Sequence, residues 1–482
     1  MNNFKQCLVM DLTHGGVKIA CEMTKQLDKV YAYDIYNTLK KENKDLLLRY
    51  NVEILSNLED IDNDTLIISP VHLPLTYIDI ENKINKKNNN YKFLTHHDAV
   101  KIILDYWIEK TANIPKIEIT GVKGKTNSVF MLKEILTSYN PLILSSLGAM
   151  LFKNNRKFIL KKNISITPAS IIETVKLANR ISNPTCGVKP DYKNVNYDVA
   201  IFENSLGSCG IGDIGLLTNI AENYPIANNK KTASIAKKQI FNCKKVVIEE
   251  ETLSKYYKEE KIKFKDKINT YSLNKDNSDS NLVLKNVDYS LNETKIEVKY
   301  TSLKTISNKE ISGNIEINTF APGKHHVQNV LGVISACLTL DIDIDLIEQG
   351  LNNYHGINGR TSIKKIDNLN IIEEVNPGIN TKAIKNSIEM INDLKDYCII
   401  IGGQYGITCE EIDEKKLSNY LDEISENKNI ILTEELGKNI LNKTKRKLRF
   451  IENYNDAIDL ALENNKNILF IYRSNYGEIS KR

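Results

Sequence analysis

Residues 117 to 128 read Ile-Glu-Ile-Thr-Gly-Val-Lys-Gly-Lys-Thr-Asn-Ser, a glycine loop between a strand end and a helix. Ile117 and Ile119 alternate as a buried strand does, and Val129 to Leu136 continues with helical apolar spacing. A strand that turns through glycines straight into a helix is a unit of α/β folds. It is also an anion cradle. Glycines let backbone N–H groups face a phosphate, the helix N-terminus adds positive potential, and Lys125 and Thr126 reach a terminal phosphate and its magnesium. The loop is shorter than a generic Walker loop, because Ile119 stands where that motif has its first glycine. A bare Gly-Lys-Thr can be an ordinary turn, but strand before and helix after favour a nucleoside triphosphate.

A chain of 482 residues suggests about three domains. Its 65 basic and 61 acidic residues are mixed along the sequence, which argues against a dedicated nucleic-acid surface. The eight cysteines occur singly, without metal-ligand spacing. Cys7, Cys21, Cys337 and Cys398 lie in apolar runs and read as core thiols of a reducing compartment. No run of roughly 18 apolar residues occurs. The expectation is a cytoplasmic protein with no membrane or nucleic-acid partner, working as a monomer or homodimer.

The chain divides into residues 1–92, a linker helix at 93–112, a central domain at 113–354 and a third unit at 355–482. In the first, Cys7–Asp11 reads as a strand, Gly15-Gly16 as a turn, Val17–Leu27 as a helix and Val30–Asp34 as a second strand ending in an acid. Thr65–Ser69 is a later strand. That is the Rossmann order, but Thr13 and Lys18 occupy two positions of the G-x-G-x-x-G fingerprint, so a different ligand is expected at the strand ends. The polar run at 85–90 reads as an exposed loop. Thr95 caps a helix running to Trp107, with Asp98 at its third position. Central strands are expected at 198–202, 215–220 and 245–248, and short alternating segments at 276–320 read as a small antiparallel sheet attached to the main one. The third unit again alternates strand and helix, with strands at 397–401, 430–432 and 468–472. His325 and Asn329 are read beside a helix starting near Gln328.

Together these landmarks resemble the Mur ligase superfamily. Thr120–Thr126 is similar to its ATP loop, Thr167-Pro168 to its Thr-Pro motif, Glu203 to its magnesium-holding acid and Leu217–Ile220 to the strand that follows. Ala236–Phe241 matches the segment bearing a lysine that is carbamylated in many members, which places that role on Lys237. Gly323–Asn329 matches the adenine-side motif, and Gly359-Arg360 the arginine that opens the third domain. The resemblance implies a three-domain α/β architecture: a Rossmann-like N-terminal domain, a central P-loop ATPase domain with the small antiparallel sheet, and a Rossmann-like C-terminal domain. It implies an ADP-forming ligase that makes an acyl phosphate from a carboxylate and ATP, then lets a nucleophile displace phosphate.

ATP and Mg2+ are the implied cofactors. Thr120, Gly121, Val122, Lys123, Gly124, Lys125, Thr126, Asn127, His325 and Asn329 are the implied ATP contacts. Thr126 and Glu203 hold the metal, and Lys125, Glu203, Lys237 and Arg360 are catalytic. For Lys237, beside Lys238, a solvated helix face is the alternative. The sequence also departs from the family: Asn223-Tyr224 stands where an Asp-His pair serves a second magnesium, His326 replaces an Asn, and 371–378 alters an Asp-rich motif.

The N-terminal segments Asp11–Gly16 and Tyr33–Thr38, with Thr95–Val100, Asn376–Gly378 and Gly402–Glu411, look most like the branch found in archaeal methanogens. That branch contains a tetrapyrrole-cyclising synthetase and pseudomurein peptide ligases. The cyclising member implies a small-molecule nickel tetrapyrrole substrate, with nickel present only as part of it and His14, Gly15, Gly16 and Asp34 contacting it. With His14, the residues His72, His96 and His97 line such a pocket or touch its nickel, or else serve as caps and helix-surface histidines. A UDP-linked peptide precursor, or a non-catalytic nucleotide-binding regulator, are the competing expectations.

Overall fold

The computed structural model describes residues 4–61, 64–84, 91–154, 156–182, 195–277, 279–366, 369–392, 396–406, 412–424, 428–464 and 467–474. The expected loop at 85–90 and part of the segment 402–411 lie outside these. The backbone clusters into two units. The first comprises residues 1–286, 297–316 and 329–351, and the second 287–296, 317–328 and 352–482.

The first unit opens with a five-stranded sheet in the order Val52–Ile54, Lys29–Tyr33, Gln6–Met10, Thr65–Ser69, Lys92–Thr95. All its pairings are parallel. Gln6–Met10 is buried almost throughout, as a central parallel strand covered on both faces must be. The first helix, Val17–Met23, ends earlier than its apolar pattern suggested. The Thr24 hydroxyl donates to the Cys21 carbonyl at 2.8 Å, and the chain turns there.

The capping box at Thr95 forms as read: its hydroxyl accepts from Asp98 N–H while the Asp98 carboxylate accepts from Thr95 N–H. The helix breaks at Leu104 and resumes at Asp105–Lys110. Trp107 is buried and donates to the Tyr197 hydroxyl at 2.7 Å.

An eleven-stranded sheet carries the glycine loop. Lys116–Thr120 lies between Ile214–Leu217 and Val199–Glu203, parallel to both. Beyond Val199–Glu203 come Pro141–Ser145 and the antiparallel Gly148–Lys153 and Arg156–Lys161; beyond Ile214–Leu217 come Lys245–Glu249 and Ile268–Ser272. The segments expected as an attached small sheet, Leu282–Asp288, Thr294–Lys304 and Glu310–Thr319, continue this sheet at its edge. Thr294–Lys304 alternates buried and exposed residues, because only one face is covered. The helix expected near Gln328 begins four residues earlier, at Lys324, since Gly323 C=O already accepts from His326 and Val327 N–H.

The second unit holds a six-stranded sheet in the order Arg360–Ile366, Leu369–Val375, Asn467–Arg473, Tyr397–Gly403, Asn429–Thr433, Arg449–Ile451. It is parallel apart from its first pairing. Ile372, Ile399, Ile401, Leu432 and Leu469 form a core on one face of it, and Ile371, Ile400, Ile431 and Phe470 a second core on the other. Cys7, Cys21, Cys337 and Cys398 are buried free thiols, as read.

Candidate functional site

The glycine loop is shaped by the residues that follow the next strand. Thr218 Oγ1 donates to Lys123 C=O at 2.6 Å, the Asn219 amide brackets the same peptide, and Val122 N–H donates to Asn219 C=O at 2.9 Å. Two glycines are required. Gly121 at φ +147° would put a Cβ 2.0 Å from Thr218 Oγ1, and Gly124 at φ +83° would put one 2.1 Å from Asn329 Oδ1. Lys125 opens the helix Lys125–Ile135 and folds back over the loop, its Nζ 3.0 Å from Gly121 C=O. Thr120 Oγ1 and Asn329 Oδ1 are buried without hydrogen-bond partners, which marks a place for a polar ligand. Lys123 and Asn127 are half-buried at the rim.

Beneath the loop, Glu203 ends its strand almost fully buried. Both carboxylate oxygens lie 3.1 Å from Thr126 Oγ1, and one accepts from Ser146 N–H at 3.0 Å. The chain beyond Glu203 is pinned by Glu118, which accepts from Cys209, Ile211 and Gly212 N–H and from the Asn204 amide. Burial raises the Glu118 carboxyl above its ordinary value, and those donors partly offset it. Glu118 was not foreseen, since its only signal in the sequence is an acid between two isoleucines of a buried strand. The hard oxygens of Thr126 and Glu203, with Glu203 compensated by neutral donors, fit a magnesium ion.

Lys237 is fully buried, not on a solvated helix face, and donates to Ser205 C=O at 2.6 Å. Its neighbour Lys238 takes the exposed role, paired with Glu260. Asn223, at the departure from the family pattern, accepts from Ser234 N–H at 2.9 Å and so anchors the short helix carrying Lys237. His97 is buried, has both ring nitrogens unpartnered, and is held neutral at about 3 by burial, then by nearby positive charge including Lys237. His96 is also buried, its Nε2 3.0 Å from Met10 C=O, and burial lowers it to about 4. Neither is a helix-surface histidine, as the plainer expectation had it.

The N-terminal candidates separate into two kinds. His14 Nδ1 lies 2.7 Å from Asp11 Oδ2, and His72 Nε2 lies 3.3 Å from the same oxygen. Gly15 and Gly16 serve packing: a Cβ would meet Ala169 Cβ at 2.7 Å and Asp11 C=O at 2.1 Å respectively. Asp34 accepts from Leu39 N–H at 2.7 Å, closing the turn after its strand, while its other oxygen is buried and unpartnered. A cavity in the same unit is lined by Ser69, Tyr77, Thr95, Lys231, Ile235 and Gln239. Lys231 there is depressed by burial, and its Nζ donates to Val71 C=O at 3.1 Å.

In the second unit the rings of His325 and His326 lie with centroids 3.8 Å apart, tilted by 42°. Burial lowers His325 to about 4 and holds His326 well below the ordinary histidine value. His326 Nε2 is 2.9 Å from Thr361 Oγ1, which donates to Glu374. Burial raises Glu374 to about 7 despite that bond and the nearby Arg360 charge. Arg360 begins its strand beside a register shift, and Thr361 takes φ +57°, a strained value for a β-branched residue. Thr361 and Glu374 escaped the sequence reading, which registered 371–378 only as an altered motif.

A nucleotide loop of this shortened form, braced by a Thr-Asn pair in a chain with two further parallel sheets, defines the class: ATP-dependent ligases of the three-domain Mur architecture. The coenzyme F(430) synthetase of Methanocaldococcus jannaschii is 31% identical over 90% of this chain and 92% of its own. The chain belongs to the coenzyme F(430) synthetase family. The synthetase of Methanosarcina acetivorans is 26% identical over 87% of each chain. A family model described as coenzyme F430 synthetase CfbE, C-terminal domain, matches residues 363–475. Among solved structures, the UDP-N-acetylmuramoylalanyl-D-glutamyl-2,6-diaminopimelate–D-alanyl-D-alanyl ligase of Acinetobacter baumannii shares the fold, with TM-score 0.58, 14% identity, and 88% of this chain and 91% of that one covered.

Proposed function

We propose that this ligase activates a propionate carboxylate of a nickel tetrapyrrole with ATP and closes a carbocyclic ring on it, in the cytoplasm. The observation that carries the reading is the Thr126–Glu203 pair beneath a loop flanked by the unpartnered Thr120 and Asn329 atoms. Similarity over 90% of the chain to a coenzyme F(430) synthetase supports the choice of substrate.

In the first step a carboxylate oxygen attacks the γ-phosphorus and the bond to ADP breaks. A carbon of the same macrocycle, having given up a proton, then attacks the acyl carbon, and phosphate leaves with the C–O bond electrons. The products are a ring ketone, ADP and phosphate. Lys125 neutralises charge on the phosphoryl oxygens as it transfers, and the family resemblance gives Arg360 the part of a second cation. Thr126 and Glu203 would hold Mg2+, which supplies charge neutralisation on the phosphates when bound. Thr120 to Asn127 and Asn329 would line the nucleotide site. Lys237, buried beside Ser205 C=O, would serve as an added carboxylate when carbamylated.

Residues 1–92 hold the substrate, 93–112 link to the ATP-binding domain at 113–354, and 355–482 bring Arg360. His14, Gly15, Gly16 and Asp34 edge the substrate side. Lys231 in the neighbouring cavity offers charge to a polycarboxylate.

The test is phosphate release from ATP by purified protein given the nickel tetrapyrrole acid. Wild type is expected to turn over, and Lys125→Ala to lose about 100- to 1,000-fold in kcat, as removal of a transition-state donor does. Full turnover by Lys125→Ala would overturn the assignment.

A further inference from the structure

Three side chains meet at the C-terminal edge of the five-stranded sheet, outside the nucleotide loop. Asp11 follows the strand Gln6–Met10, His72 follows the adjacent strand Thr65–Ser69, and His14 lies in the wide turn Leu12–Gly16. From Gln6–Met10 the strand order runs one way through Lys29–Tyr33 and the other way through Thr65–Ser69. The chain therefore reverses its winding between these two strands. In an open parallel sheet that switch point leaves a crevice at the strand ends, where ligands bind.

Asp11 is fully buried at φ +64°, a backbone conformation uncommon for a residue with a side chain. Its Oδ2, His14 Nδ1 and His72 Nε2 form a closed triangle with edges of 2.7, 3.1 and 3.3 Å. Hydrogens cannot satisfy all three edges. If both imidazoles donate to the carboxylate, two N–H groups face each other across the 3.1 Å edge. If His14 Nδ1 is bare to accept from His72, its lone pair faces the carboxylate oxygen. A cation serves all three atoms at once. Ligand atoms about 2.1 Å from a metal in adjacent octahedral positions lie about 3.0 Å apart, within the observed range. Two imidazoles and a carboxylate on one face are a donor set for a divalent transition metal.

We infer that Asp11, His14 and His72 form a divalent transition-metal site, holding the ion by one face and leaving its remaining positions to water or a carboxylate oxygen of a ligand. The ion is distinct from a tetrapyrrole's nickel, whose four ring nitrogens leave two axial positions, too few for three protein ligands. The site does not depend on which carboxylate the ligase activates. Both histidines are half-buried, so an ion can enter.

The test uses the full chain, stripped with chelator and titrated with Co2+ without nucleotide or Mg2+, followed by visible absorption and by metal content after gel filtration. One Co2+ per chain is expected, with absorption bands of nitrogen ligation and displacement by Zn2+. His14→Ala and His72→Ala are each expected to weaken binding by about 100-fold, whereas Glu203→Gln leaves it unchanged. Should an alanine variant lose its fold, His72→Gln keeps a donor on Asp11 while removing the imidazole, and the same loss is expected. Failure to retain cobalt overturns the site, as does equal retention by a folded His72→Gln or a loss caused by Glu203→Gln. A nickel tetrapyrrole bound through His14 by a protein that holds neither free Co2+ nor Zn2+ also overturns it.

Discussion

At the scale of single residues, the nucleotide loop depends on where side chains are absent as much as on where they reach. Gly124 lies against Asn329, and its φ of +83° disfavours any residue with a Cβ. Gly124→Ala is expected to destabilise the protein by about 1–3 kcal/mol and to weaken ATP binding, because the Asn329 amide must move. Denaturant titration and nucleotide titration of one preparation check both; unchanged ATP affinity would show that Asn329 does not set the loop. Lys125, Thr126, Gly121 and Gly124 were legible because a phosphate cradle prescribes residue types at fixed local spacing. Glu118 and Thr361 were not. Each acts through partners distant in sequence, and a lone acid in a strand or a lone threonine carries no periodicity.

At the scale of elements, the helix following Thr95 shows how local chemistry and tertiary contact share a residue. Thr95 caps the helix through Asp98, and its hydroxyl also receives the Gln239 amide at 3.0 Å. Thr95→Ala is expected to cost about 1–2 kcal/mol, above an isolated cap, since Gln239 loses a partner too. Thr95→Ser should recover most of the loss; equal loss in both variants would assign the effect to the methyl group instead. The cap was readable because Thr-x-x-Asp is a local signature. The helix starting at Lys324 was placed too late, because His325, His326 and Asn329 break an apolar pattern that begins only with Val327 and Val330. Buried polar side chains on a helix face are a functional requirement that periodicity reads as loop.

At the scale of the whole molecule, ionisation couples stability to pH. His96, His97, His325 and His326 are buried and held neutral below their ordinary value of 6.5. Their contribution is complete above pH 6.5 and is lost as pH falls below it, because the unfolded chain takes up protons that the native state resists. Glu374 works with the opposite sign. Its carboxyl is raised from 4.5 to about 7, so its contribution is present at low pH and is lost as pH rises through that window. Below pH 6.5 four histidines outweigh one glutamate, and stability is expected to fall on acidification, each group contributing at most about 1.4 kcal/mol per pH unit. Denaturation at pH 7.5, 6.5 and 5.5 checks the sign, and Glu374→Gln should steepen the acid loss; a flat profile would contradict the buried neutral histidines.

The three α/β sheets were legible from apolar strands alternating with helices. The continuation of the central sheet through Glu310–Thr319 was read as a small attached sheet, since edge strands carry alternation but no mark of the strand they join.

The central claim is that acyl-phosphate chemistry here ends in ring closure. The most direct measurement is the mass of the product formed from the nickel tetrapyrrole acid, ATP and Mg2+, with phosphate counted in parallel. The expected product is lighter than its substrate by one water, with one phosphate released per ring closed and far slower release from Lys125→Ala. A product heavier by an amino-acid residue, or tight ATP binding with no change in substrate mass, would contradict it.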